Sequence, residues 1–456
     1  MIRRFDAIVI GAGQAGPPMA GRIARTGKTV AVIERELVGG TCVNTGCTPT
    51  KTLVASAYAA HLARRASDFG LKVGPVGVDF AAVMARKDKV VGASRLSVEG
   101  WLRDMANCTL VRGHAAFLSP TSVRVGDDVL EADRFFLNVG CRAVQPDLPG
   151  VDQVRTLTNT TLLELDALPP RLVIVGGSYI GLEFAQIFRR LGSEVTVVEK
   201  MARLIGREDE AVSDAIRETL EAEGIRVRLK SECIRFAPRG ADVVVGVNCA
   251  EGQPEEVGSH VLLAVGRRPN TSDLGLDAAG VKTDAHGYIV VDDELRTNVP
   301  HIWALGDCNG RGAFTHTSYN DYEIVATNLL DGGRRQVSDR IPSYALYVDP
   351  PLGRVGLTEA EARAKGHRVR IGFRPMTRVG RAIEKGETRG FIRVVVDRDS
   401  DAILGAAILG VSGDEVVHGV IEAMAAGVTA TAYSHVMGIH PTVSELLPTV
   451  FGELSP

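Results

Sequence analysis

Three things are scarce in this chain: long apolar runs, an excess of charge of one sign, and cysteine. No apolar run approaches the ~18 residues that a bilayer-crossing helix needs, so a membrane is not an expected partner. Lys and Arg number 52 against 55 Asp and Glu, a formal net charge of −3. That balance builds no basic field, which excludes nucleic acid and anionic lipid as implied partners. Seven cysteines in 456 residues is few. Five of them, Cys108, Cys141, Cys233, Cys249 and Cys308, show no pairing pattern and read as reduced thiols, mostly buried, in a reducing compartment. The start, Met1-Ile2-Arg3-Arg4, is basic, but Asp6 and the glycines from Gly11 interrupt any signal-peptide core. A cytoplasmic location is therefore expected.

What is present is ordinary for a globular protein in bulk, with 45% hydrophobic and 23% charged residues. The length suggests about three domains of roughly 150 residues. The informative stretch runs from Gly39 to Lys51, Gly-Gly-Thr-Cys-Val-Asn-Thr-Gly-Cys-Thr-Pro-Thr-Lys. Cys42 and Cys47 are too far apart for a CxxC clip, but one irregular turn brings them within disulfide reach. Gly39, Gly40 and Gly46 let the backbone fold tightly. Pro49 fits the first turn of a helix, where its missing N–H costs nothing. The periodicity predicts that helix from about Lys51 to Arg65. Cys47 then lies at a helix N-terminus with Lys51 nearby, and both features favour a thiolate. Cys47 is the candidate activated sulfur. The plainer alternative is two cysteines that merely pack.

Two further stretches share one pattern. Ala7 to Ile10 is apolar and leads into Gly11-Ala12-Gly13-Gln14-Ala15-Gly16, a helical segment, and a second apolar run from Val30 that ends in Glu34. Strand, glycine turn, helix, strand and acid in that order form the dinucleotide fingerprint in its required context. Gly11 makes the turn, Gly13 lets backbone approach a pyrophosphate, Gly16 allows close helix–strand contact, and Glu34 would accept from a ribose 2′-OH. Pro17 and Pro18 suit the first helical turn. From Leu172 the pattern repeats: Gly176-Gly177-Ser178-Tyr179-Ile180-Gly181, a helix to about Leu191, and a strand ending in Glu199. Ser178 replaces the middle glycine and is tolerable only at negative φ. Glu199 suits the free 2′-OH of NADH and repels the 2′-phosphate of NADPH, although Lys200 and Arg203 follow closely. Two nucleotide folds imply two nucleotides, the first better suited to a tightly held FAD.

The cysteine stretch resembles the redox-active disulfide of the pyridine nucleotide-disulfide oxidoreductases, the family of dihydrolipoamide dehydrogenase, glutathione reductase and mercuric reductase. Its motif, Gly-Gly-Thr-Cys-x-Asn-x-Gly-Cys-x-Pro-Ser/Thr-Lys, is met at every fixed position. Thr48 departs from the usual aliphatic residue and puts a hydroxyl beside the reactive sulfur. The resemblance covers nearly the whole chain. It implies that Glu183 pairs with Lys51 beside the flavin N5, that Gly266 marks the return to the flavin domain, and that Asp307 holds a ribityl hydroxyl. A helix beginning near His316 would aim its N-terminus at the flavin. His440 would be the acid–base, oriented by Glu445, reaching the disulfide of the partner subunit in a homodimer. Cys308 reads as packing.

The implied fold is α/β, with two Rossmann-like nucleotide domains, the second inserted in the first, and a C-terminal α+β dimerisation domain. The expected division is 1–150 with 266–338 for FAD, 151–265 for NAD(P)H, and 339–456 for dimerisation. Hydride would pass from nicotinamide to flavin and electrons on to the pair, Cys47 contacting the flavin and Cys42 attacking the substrate. The acceptor would be a small-molecule disulfide or a metal ion. The local wording is most similar to the mercuric-reductase branch, with dihydrolipoamide dehydrogenase next and a slow redox sensor as a different class. No cysteine follows Cys308 in this sequence. A soft dication needs thiolate ligands at each handover, so weak Hg(II) turnover is expected. No protein metal site is expected.

Overall fold

The computed structural model describes residues 1–232, 234–247 and 255–455. Cys233 and Cys249 lie outside the described residues. The chain divides into two compact units. The first is built from Met1–Thr52, Met84–Gln145 and Val265–Arg340, the second from Leu53–Val83, Pro146–Ala264 and Ile341–Pro456.

In the first unit the apolar run Ala7–Ile10 is buried at every position, because its sheet is covered on both faces. That sheet is parallel and five-stranded, in the order Ile302–Ala304, Phe135–Leu137, Ala7–Ile10, Val30–Glu34, Cys108–Arg112. Alternate residues serve opposite faces. Ile8, Ile10, Ile33 and Leu137 pack toward a four-stranded sheet through Phe117, Val123 and Leu130. Val9, Val32 and Phe136 pack on Met19 and Ile23 of the helix Gly16–Ala24 and on Ile324 and Val325 of the helix Thr315–Leu330. The long helix Phe80–Asp104 and a run of short strands from Cys108 to Leu137 follow in the chain.

The second unit repeats the design with a parallel sheet in the order Thr156–Leu157, His260–Leu263, Arg171–Val175, Glu194–Val198, Arg226–Arg228. The strand His260–Leu263 stops short of Val265, which is exposed. Residues from Ser343 onward form a five-stranded antiparallel sheet, ordered Ser343–Leu346, Leu352–Gly356, Ile403–Leu409, Phe391–Asp397, Val369–Pro375. The strands Leu352–Gly356 and Val369–Pro375 have no counterpart in the sequence reading. Gly353 explains the first: a Cβ there would lie 2.1 Å from the Gly413 carbonyl, so glycine is what lets the helix Gly413–Ala425 lie on the sheet.

The helix Tyr179–Leu191 carries a buried ionic contact near its C-terminal end. Arg190, 5% exposed, bonds Glu223 at 2.7 and 2.9 Å and Asp349 at 2.6 Å. Gln186 exchanges two hydrogen bonds with the Asp349 backbone, at 2.7 and 2.9 Å. Removing one partner of such a cluster leaves uncompensated charge in a dry environment. Arg190→Met is expected to lower the unfolding free energy by about 3 kcal/mol in urea titration, because Glu223 and Asp349 then face each other unpaired. A loss below about 1 kcal/mol would show that water already screens the cluster.

Candidate active site

The cysteine stretch is more regular than an irregular turn. Gly40–Asn44 is a short helix whose N-cap, Gly39, sits at φ +99. The Asn44 amide donates to the Val38 and Gly40 carbonyls at 3.0 Å each, holding the entry to that helix. A Cβ at Gly46 would lie 2.8 Å from the Thr41 carbonyl, so the chain between the two cysteines closes only with glycine there. The second helix runs from Cys47 to Arg64 and begins four residues before the expected Lys51. Pro49 is tolerated because the first turn uses none of its own N–H groups. Cys47 is therefore the first residue of the helix, and Lys51 stands one turn on, on the same face.

Cys42 and Cys47 are present as thiols, hydrogen-bonded to each other. The hydrogen bond to Cys47, then burial, then the charge on Cys47 push the Cys42 thiol far up, while Thr315 and Lys51 oppose the shift. A rise with that cause belongs to the pair: it accepts one negative charge and resists a second. Thr315, whose Oγ1 lies 3.2 Å from Cys47 Sγ, belongs to no motif in the sequence. The other described thiols are held protonated by burial. Burial pushes Cys108 to about 11 and both Cys141 and Cys308 to about 12. Cys308 is wholly buried, its sulfur against the Leu137 and Leu305 carbonyls at 3.5 and 3.4 Å.

Both glycine turns have the geometry that the fingerprint requires. Gly11 sits at φ +101 and Gly176 at φ +116. A Cβ at Gly16 would lie 2.2 Å from the Gly11 carbonyl, and one at Gly181 would lie 2.1 Å from the Gly176 carbonyl. A Cβ at Gly13 would come within 2.9 Å of Asn138 Oδ1. Ser178 is extended, at φ −110, which meets the condition for a serine in that position. Neither N-cap residue, Ala15 or Ser178, caps its helix with a side chain, so the first N–H groups other than that of Gly16, which Asn138 takes, suit a pyrophosphate. The acids do more than expected. Glu34 accepts the Ala12 and Glu36 N–H groups, both at 2.8 Å. Glu199 accepts those of Gly177 and Met201, at 2.7 and 2.8 Å. Each carboxylate braces its own turn and keeps further lone pairs for a ribose hydroxyl. Asn138, in the Asn138-Val139-Gly140 turn that the resemblance places at the end of the first flavin segment, takes the Gly16 N–H at 3.0 Å and donates to the Leu305 carbonyl at 2.9 Å.

Asp307 lies on the short helix Gly306–Asn309 and forms an ion pair with Arg267, which also donates to the Cys141 carbonyl at 2.9 Å. Gly266 precedes that arginine at φ +124. Glu183 is buried rather than solvated, and its Oε1 accepts the Tyr347 N–H at 3.1 Å. His440 is 81% exposed, and its Nδ1 lies 3.0 and 3.2 Å from the Glu445 oxygens. The expected histidine–glutamate pair is thus formed within the chain. Val436, Met437 and Ile439 around it are exposed as well.

The chain matches the family model for pyridine nucleotide-disulphide oxidoreductases over residues 5–321 and that family's dimerisation domain over 342–451. It belongs to this family and is an oxidoreductase of the α/β, twin-Rossmann type that the two parallel sheets display. It is 35% identical to the probable pyridine nucleotide-disulfide oxidoreductase RclA of Escherichia coli, covering 99% of both chains. It is 34% identical to a mercuric reductase of Streptomyces lividans, over 97% of this chain and 94% of that one. A dihydrolipoyl dehydrogenase of Thermus scotoductus is 35% identical, over 97% and 96%. The solved structure of the HOCl-induced flavoprotein disulfide reductase RclA from Escherichia coli superposes with a TM-score of 0.89 at 34% identity, covering 98% of this chain and 99% of that one. No helix among the described residues is long and apolar enough to cross a membrane.

The thiol environments predict selective chemistry. Iodoacetamide at pH 8 should modify the reduced native protein within Cys42 and Cys47 and leave Cys108, Cys141 and Cys308 unmodified until denaturant is added. Peptide mass mapping reads this directly. Early labelling of Cys308 would mean that the core around it opens far more often than its burial implies.

Proposed function

We propose that this protein is an FAD-dependent NAD(P)H oxidoreductase that delivers two electrons through Cys42 and Cys47 to a small disulfide. The observation that carries the reading is the thiol pair itself, with Cys47 opening a helix and Lys51 one turn away on the same face. The turn of Gly11, Gly13 and Gly16 fits the FAD pyrophosphate, with Glu34 for its ribose and Asp307 for the ribityl chain. Gly176, Gly181 and Glu199 fit NADH, and Gly266 opens the return to the flavin-binding segments. When bound, the two cofactors supply hydride transfer and storage of an electron pair. The chain does the rest. Cys47 holds the thiolate, and Cys42 gives its proton to His440, which Glu445 orients, and attacks one sulfur of the substrate; the second substrate sulfur leaves with that proton, and Cys47 then attacks Cys42, closing the disulfide and releasing the first substrate sulfur. Lys51 and Glu183 bring the charges that the family uses beside the hydride path. The domain division proposed is 1–150 with 266–338, then 151–265, then 339–456, and the reduced thiols suit the cytoplasm.

A metal-ion acceptor is the second reading, supported by the kinship with mercuric reductases and by the solved Cu(II) complex of the Escherichia coli relative. Residues 309–456 contain no cysteine, so none of them offers a thiolate pair to a soft ion captured by Cys42 and Cys47. Steady-state rates with NADH or NADPH against dihydrolipoamide/lipoamide, other small disulfides, Cu(II) and Hg(II) separate these readings. The expected order is disulfide turnover with NADH preferred and Hg(II) acting as an inhibitor. Sustained formation of elemental mercury would overturn the acceptor assignment, and an NADPH preference would show that Lys200 and Arg203 outweigh Glu199.

A homodimer is proposed because His440 stands exposed within an apolar stretch, where a second copy would cover it. Mixing Cys42→Ser chains with His440→Ala chains should regain activity, since one of the two sites in each heterodimer then keeps both groups. Full activity in a monomer at working concentration would remove this proposal.

A further inference from the structure

Thr315 takes part in no sequence motif, yet its hydroxyl meets the Cys47 sulfur and acts on Cys42. Oγ1 lies 3.2 Å from Cys47 Sγ, and a hydrogen bond to the same hydroxyl eases ionisation of Cys42. Its position is well defined. Thr315 opens the helix Thr315–Leu330, and Phe314 before it is extended, at φ −119 and ψ 157. The Thr317 hydroxyl clamps Phe314, accepting its N–H at 3.1 Å and donating to its carbonyl at 2.7 Å. A Cβ at Gly312 would lie 2.8 Å from that Thr317 oxygen, so glycine makes room for the clamp. His316, the next residue, stacks on Phe314 at 5.4 Å between ring centroids.

We propose that the Thr315 hydroxyl is the donor that decides which of the two sulfurs carries the thiolate. A hydroxyl has one proton to donate, so it can stabilise one sulfur anion at a time. Directed at Cys47, it leaves the remaining thiol proton on Cys42. Turned about the Cβ–Oγ1 bond toward Cys42, it favours the anion on the sulfur that attacks the substrate. The other groups acting on the pair are Lys51, on the helix that Cys47 opens, and the N-terminal ends of that helix and of the Thr315 helix. Those are fixed positive fields that favour either anion. The hydroxyl adds a directional contribution that a rotation can reassign. Hydrogen bonds to a charged partner are the stronger class, so losing this one should be measurable.

This inference rests on the redox role proposed for the pair. It is tested in the FAD-loaded protein with Thr315→Val, which keeps the shape and removes the O–H, and Thr315→Ser, which keeps the O–H. Two readouts are compared across pH after anaerobic two-electron reduction: the long-wavelength absorbance of a thiolate lying against the flavin, and the rate of iodoacetamide labelling at Cys42. Removing a donor from an anion raises the thiol pKa. Thr315→Val should therefore move the absorbance midpoint up by about one pH unit, a tenfold loss of thiolate at a given pH. Labelling of Cys42 should shift in the same direction, and Thr315→Ser should restore both. A wild-type midpoint and labelling profile in Thr315→Val would overturn the inference, as would a Ser variant that behaves like Val. Absence of the absorbance from the wild type would instead overturn the placement of Cys47 beside the flavin, and the labelling profiles would then decide the role of Thr315 alone.

Discussion

One backbone hydrogen bond sets the geometry on which the first unit's chemistry depends. The Gly39 N–H donates to the Ala12 carbonyl at 2.8 Å, so the cysteine stretch is tied to the nucleotide turn itself. The next residue tightens the contact: a Cβ at Gly40 would lie 2.8 Å from the Gly13 Cα. Two glycine-rich segments therefore touch backbone to backbone, and the short helix carrying Cys42 follows directly. No side chain intervenes that could flex. A cysteine held through backbone contact keeps its distance from the glycine turn whatever the surrounding side chains do, which is the rigidity that the proposed electron transfer requires.

The two parallel sheets solve one problem twice with slightly different parts. Each places a glycine at positive φ directly after a buried strand, and each lets the helix after it approach within about 2 Å of where a Cβ would stand. They differ in the middle of the turn, where Gly13 has Asn138 against it and Ser178 is extended. Asn138 joins the first turn to the Leu305 carbonyl, which precedes the segment bearing Asp307. The first turn is thereby fixed to a neighbouring strand by a side-chain bridge.

Much of this was legible in the chain because local constraints carry it. Glycines forced by close approach, an acid at a strand end, and cysteines at a helix start all declare themselves over a few residues. The start of the second cysteine helix was misplaced because Thr48-Pro49 reads as a break, whereas a first turn needs no N–H from either residue. The strands Leu352–Gly356 and Val369–Pro375 escaped because glycine and arginine disguise their alternation. Arg354 is almost fully buried there and is matched by Glu208 at 3.8 Å and Asp209 at 3.4 Å. Thr315 was invisible for a different reason. It acts on a segment more than two hundred residues away, and no spacing rule connects the two.

The bracing of Glu199 bears on how such an enzyme could be redesigned. Its carboxylate receives the Gly177 and Met201 N–H groups and so forms the inner wall of the loop whose selectivity it is proposed to set. Exchanging it for a neutral residue, the obvious route to accept a phosphorylated ribose, would strip two backbone donors of their acceptor and loosen the turn as well as change the charge. Cofactor choice and loop integrity are therefore one variable here. An engineer seeking NADPH use would do better to leave Glu199 in place and rebuild the exposed face of residues 200–203.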